Sequence, residues 1–182
     1  MARRPFRVGR SRTGLGLFAT EEIKKGRVIF NYTGRKLTTE QAEKREARGA
    51  KYLYEINSRW TIDGSNHRNV GRYANHSCRP NAESDTRGHR VFVRAIKRIK
   101  PGDEITYDYG EDYFAAYLKP IGCKCEKCRA KRAAARAAAR LKAKRAARRE
   151  AAARKTNGEA RKLNGHALNG RSNGKSNGRR SD

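Results

Sequence analysis

Apolar residues in the first 110 positions come in short runs, several alternating with polar ones. Phe6 and Val8 suit a short first strand, and Gly14 and Gly16 mark a tight turn before Leu17-Phe18-Ala19 re-enters the core. A polar turn from Glu21 to Gly26 leads into Arg27-Val28-Ile29-Phe30-Asn31-Tyr32, a strand ending at Thr33-Gly34. Thr38 with Gln41 makes a capping box. The helix it starts runs through Ala42 and Ala47 to a stop at Gly49, and its charges are mostly a solvated face. Residues 52–64 read as a hairpin, with a turn at Asn57-Ser58. Residues 72–81, Arg-Tyr-Ala-Asn-His-Ser-Cys-Arg-Pro-Asn, are too densely polar for a core strand and close on a Pro-Asn turn. Val91-Phe92-Val93-Arg94-Ala95 is a strand, residues 96–102 a turn, and residues 104–109 the last strand. Many short strands, few helices and glycine-rich turns predict a mostly β domain, a β-rich α+β fold.

Beyond residue 127 this pattern stops. Residues 127–155 are alanine with arginine and lysine, broken by a single Leu141. These are strong helix formers, but no apolar stripe exists to pack a core. From Thr156 on, Asn-Gly recurs at 157, 164, 169, 173 and 177 among Ser, Arg and Lys, a flexible-linker composition. The expected division is a domain over 5–112, a short segment over 113–130 and a basic tail over 131–182, helical or disordered.

Charge sharpens that division. The 182 residues carry a formal +27, of which residues 129–182 hold +15 from 18 Lys/Arg and 3 Asp/Glu. Such a balance predicts attraction to polyanions, most often nucleic acid, through the tail. No apolar run approaches the roughly 20 residues that span a bilayer. The N-terminal Met-Ala-Arg-Arg-Pro-Phe-Arg has no apolar stretch after its charges. The expectation is a protein that is not secreted and contacts no membrane. In a reducing compartment its four cysteines are better metal ligands than two disulfides, with free buried thiols the remaining alternative.

Four motifs then carry chemistry: Gly14-Leu15-Gly16-Leu17-Phe18-Ala19, Asn75-His76-Ser77-Cys78 with Pro80-Asn81, the run Gly102-Asp103-Glu104 through Asp108-Tyr109-Gly110, and Cys123-Lys124-Cys125-Glu126-Lys127-Cys128. In order and spacing they resemble the SET-domain protein-lysine methyltransferases with a short post-SET zinc motif. The resemblance covers about residues 5 to 130. It implies small curved sheets, with the end of the domain threaded under a preceding loop as a pseudoknot. On the fragment alone Gly14 and Gly16 are a plain hairpin turn. The resemblance makes Gly14, Leu15 and Gly16 part of an S-adenosylmethionine site, where glycine lets backbone approach a ligand.

The resemblance also assigns roles. Asn75 and His76 match the pair that holds the cofactor, a satisfied core histidine being the bland reading of His76. Tyr52 matches a tyrosine at the junction of cofactor and lysine channel, and Tyr109 the active-site tyrosine beside the departing methyl. Tyr107 falls at the family's Phe/Tyr switch position. Two residues before Tyr109, it is expected on the same side of the strand, and its hydroxyl leaves less room for added methyls. Mono- or dimethylation is expected. Cys78, Cys123, Cys125 and Cys128 would hold Zn2+ in a closed tetrahedral site. Three departures stand out. Arg68 occupies a position where the family commonly has glycine, the last two cysteines are separated by two residues rather than four, and no cysteine precedes Cys78 to supply the family's larger pre-SET clusters.

Two functions follow. The first is a zinc-stabilised lysine methyltransferase acting on a histone or another DNA-associated or ribosomal protein, delivered by its basic arm. The second is a catalytically idle SET fold that compacts DNA through its tail. Location follows the source: cytoplasm or nucleoid in a bacterium, nucleus or chromosome in a eukaryote.

Overall fold

A computed structural model describes residues 4–168. The chain divides into two compact units, one up to Lys131 and one from Arg132. In the first unit ten strands make three small sheets. The first sheet contains β1 (Phe6–Ser11), β2 (Gly14–Ala19), β10 (Glu104–Tyr107) and β7 (Asn75–His76), in the order β1-β2-β10-β7. The second is β3 (Val28–Tyr32), β9 (Arg90–Ala95) and β8 (Ala82–Arg87), ordered β3-β9-β8. The third places β6 (Trp60–Asp63) between β4 (Arg35–Thr38) and β5 (Leu53–Asn57). Alternation sorts the side chains. Leu17, Ile23, Ile99 and Ile105 are fully buried in the main core, which the first two sheets share with Phe6, Phe30 and Val93.

Helix α1 (Thr39–Ala47) starts on the expected capping box. The Gln41 N–H donates to Thr38 Oγ1 at 3.3 Å, and Gln41 Oε1 accepts from the Thr38 N–H at 3.2 Å. Gly49 stops the helix with φ +85°. The 52–64 hairpin is present, its turn shifted to residues 58–59.

Several elements differ from expectation. Gly14 and Gly16 are not in the turn. The register Ser11↔Gly14 leaves Arg12 and Thr13 as the turn and puts both glycines on β2. Gly16 is needed for close approach: a Cβ there would sit 2.5 Å from Glu104 Oε1 and 2.9 Å from Ser11 Cβ. β10 ends at Tyr107 rather than Tyr109, so the two-residue alternation does not set where Tyr109 faces. β4 and β8 carry mixed polar residues and gave no apolar signal. The polar 72–81 stretch does contribute a strand, but only two residues of one, β7. A short helix α2 (Glu111–Tyr113) and a π-helical turn (Phe114–Leu118) follow β10. The last helix, α3 (Glu126–Leu168), runs through the first two Asn-Gly pairs, past Thr156 where linker is expected. Strong helix formers on the N-terminal side carry the helix across these pairs. The Asn-Gly pairs at 169, 173 and 177 lie outside the described residues.

β10 lies between β2, antiparallel, and β7, parallel. Residues 75–81 strap it down: Asn81 Oδ1 accepts from the Thr106 N–H at 2.8 Å, Asn81 Nδ2 donates to Glu104 O at 2.8 Å, and the Ser77 N–H donates to Tyr107 O at 3.0 Å. This is the threaded arrangement expected of the pseudoknot. Asn69, 1% exposed, ties the chain just after β3 and just after β6 to the turn that follows it. It accepts from the Thr33 and Gly71 N–H groups and donates to Gly64 O, each at 3.1 Å. Stranding the buried Gly71 N–H costs about 1–3 kcal/mol. Arg68, beside it, is exposed, and its N–H donates to Asn66 Oδ1 at 2.9 Å, so the turn forms without glycine.

Candidate active site and metal cluster

A tyrosine cluster forms where β10 runs out. The Tyr109 hydroxyl donates to Ala74 O at 2.7 Å. Its ring lies 5.0 Å from Tyr107, 5.0 Å edge-on to Tyr113 and 5.4 Å edge-on to His76. Tyr107 and Tyr109 therefore meet, although by a loop rather than by strand alternation. Tyr32 extends the cluster, donating to Tyr52 O at 3.0 Å. The Arg72 guanidinium covers the Tyr52 ring at 4.4 Å, and Arg72 also donates to Ser65 O. Tyr113, whose hydroxyl donates to Lys51 O at 3.4 Å, is the member that sequence reading missed. The only signal was an aromatic soon after Asp-Tyr-Gly. Burial first, then the neighbouring tyrosines, pushes the Tyr107 and Tyr109 phenols well above their ordinary value. Both stay protonated at neutral pH.

On the far side of His76 is a cleft of about 920 Å3, within the range of small-molecule sites. Ser11, Arg12 and Thr13 of the β1–β2 turn, Asn75, His76 and Ser77, Glu104 and Thr106, and residues 124–127 line it. Gly14, Leu15 and Gly16 follow directly on the lining turn but do not line the cleft themselves. Asn75 is fixed from two sides: its Nδ2 donates to Leu15 O at 3.0 Å and to Glu104 Oε1 at 2.7 Å. Glu104 is a second residue the motif reading passed over. It sits where only a side-chain-free residue 16 leaves room.

His76 stands between cleft and tyrosines, its side chain 4% exposed. Burial lowers its pKa, and Asp108 opposes that shift. Asp108 Oδ1 lies 3.6 Å from Nδ1, beyond hydrogen-bond distance, on a side chain 60% exposed. Nδ1 accepts the Tyr109 N–H at 3.3 Å, and Nε2 is 3.2 Å from Cys78 Sγ.

Cys78, Cys123, Cys125 and Cys128 bring four Sγ atoms within 4.8 Å of one another. Cys78 is 3.6 Å from Cys128 and 3.9 Å from Cys123. Tetrahedral thiolates about 2.3 Å from zinc stand about 3.8 Å apart, so the donors and their spacing fit the ion. Burial, then the neighbouring thiols, pushes Cys78 up; burial also raises Cys123. Burial opposes ionisation of Cys125 too, but the Cys128 and Cys78 backbone groups and the adjacent thiols outweigh it and bring Cys125 to about 7. Such packed thiols need a cation to become thiolates together.

A family model described as the SET domain matches residues 14–110. The histone-lysine N-methyltransferase trithorax of Drosophila virilis is 33% identical over 125 residues, 64% of this chain and 3% of that protein. The histone-lysine N-methyltransferase SUV39H2 of Xenopus tropicalis is 33% identical over 119 residues, 57% of this chain and 29% of that one. Among solved structures, ctPRC2 of Chaetomium thermophilum, in an autoinhibited conformation bound to S-adenosylmethionine, aligns with TM-score 0.54 and 28% identity. It covers 60% of this chain and 15% of that one. The chain thus spans only a small part of each relative. The family match takes in more than half the chain, from β2 through the strapped β10 to the tyrosine loop, and the chain belongs to the SET domain family.

Proposed function

We propose that the chain is an S-adenosylmethionine-dependent protein-lysine N-methyltransferase that adds one or two methyls to a histone or another basic, nucleic-acid-associated protein. The observation that carries this is the placement of the protonated Tyr109 phenol and its tyrosine neighbours across His76 from the 920 Å3 cleft. Asn75, His76 and the Gly14-Leu15-Gly16 strand start belong to the cofactor side. Tyr109, Tyr107 and Tyr52 belong to the lysine side. S-adenosylmethionine supplies a methyl already activated as a sulfonium. The residues must then deliver a neutral amine in line with it, in a site without water. A free lysine is mostly protonated at pH 7, a deficit of about 4–5 kcal/mol. Desolvation and the nearby sulfonium charge disfavour the ammonium and favour its deprotonation. The test is transfer of labelled methyl to core histones, with bound cofactor measured alongside. Neither label nor bound cofactor would favour the idle, DNA-coating alternative, whereas bound cofactor without label would point to a substrate other than those tried.

Tyr107 limits the product. The residue is 6% exposed, so its hydroxyl takes up space inside the cluster. Tyr107→Phe frees about the volume of one water, roughly 30 Å3. Mass spectrometry of the product is expected to show dimethyl- and trimethyl-lysine in place of mono- and dimethyl-lysine, with the first methyl added at about the same rate.

The basic arm supports delivery to nucleic acid. Residues 127–149 hold eleven Lys/Arg and no Asp/Glu. On α3, Arg136, Arg140, Lys144 and Arg148 repeat every four residues, about 6 Å per step along the axis. Alanine fills six of the nine positions between them, Leu141, Lys142 and Arg145 the others. Replacing all four by Gln keeps helix propensity and removes four cations. The logarithmic salt slope of duplex DNA binding is expected to flatten by about three to four, equally for any sequence. An unchanged slope would remove the tail from the interface.

A further inference from the structure

We propose that His76 is a positioning residue that ties the four-cysteine cluster to the backbone of Tyr109, so that the metal state of the cluster sets the placement of the Tyr109 hydroxyl. The inference rests on the reading of Tyr109 as a catalytic residue.

β10 loses its ladder after Tyr107, whose partner across the parallel pair is His76. The next two residues have left the sheet. The Tyr109 N–H is held instead by the His76 ring, at Nδ1. A neutral imidazole that accepts at Nδ1 carries its proton on Nε2. That N–H faces Cys78 Sγ at 3.2 Å. One rigid ring therefore has its acceptor on the tyrosine loop and its donor on a cysteine of the cluster. The ring is itself fixed: Tyr109 meets it edge-on at 5.4 Å and Phe114 lies tilted at 5.4 Å. At the far end of Tyr109 the hydroxyl is anchored on Ala74 O. The position of that hydroxyl thus depends on both anchors. A bond from Nε2–H to a metal-bound thiolate is charge-assisted, and stronger than one to a thiol. Groups that hydrogen-bond to metal ligands typically change metal affinity or activity about 10–100-fold.

Histidine is the one side chain that reaches both partners at once. Asparagine reproduces the reach of Nδ1, with an amide oxygen that accepts from the Tyr109 N–H. Glutamine reproduces the reach of Nε2, with an amide nitrogen that donates to Cys78. The pair His76→Asn and His76→Gln separates the two bonds in the full-length, zinc-loaded protein.

The first readout is the rate of Zn2+ release to a coloured chelator, without cofactor or peptide. Asn is expected to release zinc about tenfold faster and Gln at close to the wild-type rate. The second readout is kcat against KM for S-adenosylmethionine. Both variants are expected to lose about tenfold in kcat, whatever shift in KM follows from changing a cofactor-side residue, because each breaks one half of the tie. Equal zinc release in the two variants would overturn the proposal, as would a kcat that stays at the wild-type value. If either variant fails to fold, the wild-type protein decides. Imidazole 15N shifts are expected to place the His76 proton on Nε2 with zinc bound and to move when zinc is stripped; a proton on Nδ1, or shifts indifferent to zinc, overturns the tie. Absence of methyl transfer by the wild type would instead sink the enzyme reading, and the zinc-release readout would still judge the His76–Cys78 bond.

Discussion

Tyr109→Phe is expected to lower kcat by about 10²-fold or more, while S-adenosylmethionine affinity stays within about twofold. The substitution removes one oxygen and keeps the ring. The ring still packs on Tyr107, Tyr113 and His76, so the cluster retains its shape. What goes is a fixed dipole beside the reacting amine, and removing one preorganised hydrogen-bonding group from a catalytic site commonly costs 10²–10³ in rate. The loss is not that of a base. Burial drives the phenol pKa upward, so the hydroxyl remains protonated across the neutral range. The wild-type rate should therefore rise with pH as the substrate lysine loses its proton, with no break from Tyr109 below about pH 10. Stability changes little, because one lost hydrogen bond to Ala74 O is worth about 1 kcal/mol, a few degrees in Tm. Measuring Tm beside kcat separates the two effects. A Tyr109→Phe protein that keeps a third of its rate would remove this hydroxyl from the mechanism.

Motifs made much of this legible before any coordinates, and the reasons differ by residue. Thr38 and Gln41 specify their cap locally, within four residues, so the start of α1 could be read directly. The 52–64 hairpin was visible because apolar residues alternate in it. The four cysteines had no spare member, and they converge. Strands β4 and β8 were not visible. Their residues are held by partners distant in sequence, such as Lys36↔Ile62 and Ser84↔Val93, and local propensity has little say there. Glu104 was passed over for the same reason: its partner Asn75 is 29 residues away and the space for it is made by Gly16. The glycines were recognised as special but for the wrong geometry. Gly16 marks close approach within a strand rather than a turn, and both uses of glycine look alike in sequence.

Stripping zinc is expected to lower Tm by about 10 °C or more and to weaken S-adenosylmethionine binding at least tenfold, and Cys123→Ser should do the same irreversibly. The cluster joins Cys78, at the end of the β7 strap, to three cysteines 45 to 50 residues further on. Between them the chain has passed through β8, β9, β10 and the π-helical turn. A metal there closes a long loop and fixes the segment around residues 123–128 against residues 76–79. That segment is part of the cleft's wall: Lys124, Cys125, Glu126 and Lys127 line it together with Ser11, Arg12 and Thr13. Without a cation the thiols of Cys78 and Cys123 stay neutral, since burial raises both, and nothing of comparable strength replaces the bonds. Structural zinc binds with about 10–16 kcal/mol in small metal-dependent domains. Even a quarter of that, about 3 kcal/mol, moves the melting of a domain this size by about 10 °C. Chelator-treated wild-type protein should regain cofactor binding when Zn2+ is restored, whereas Cys123→Ser should not. Cofactor binding and Tm that survive chelation unchanged would mean that the wall stands without metal. The π-helical turn would then have to hold it through contacts such as the Tyr117 hydroxyl on Glu46 Oε1, 2.7 Å. That bond lies on the exposed surface, where one hydrogen bond contributes about 1 kcal/mol, too little to substitute for four thiolates on a dication.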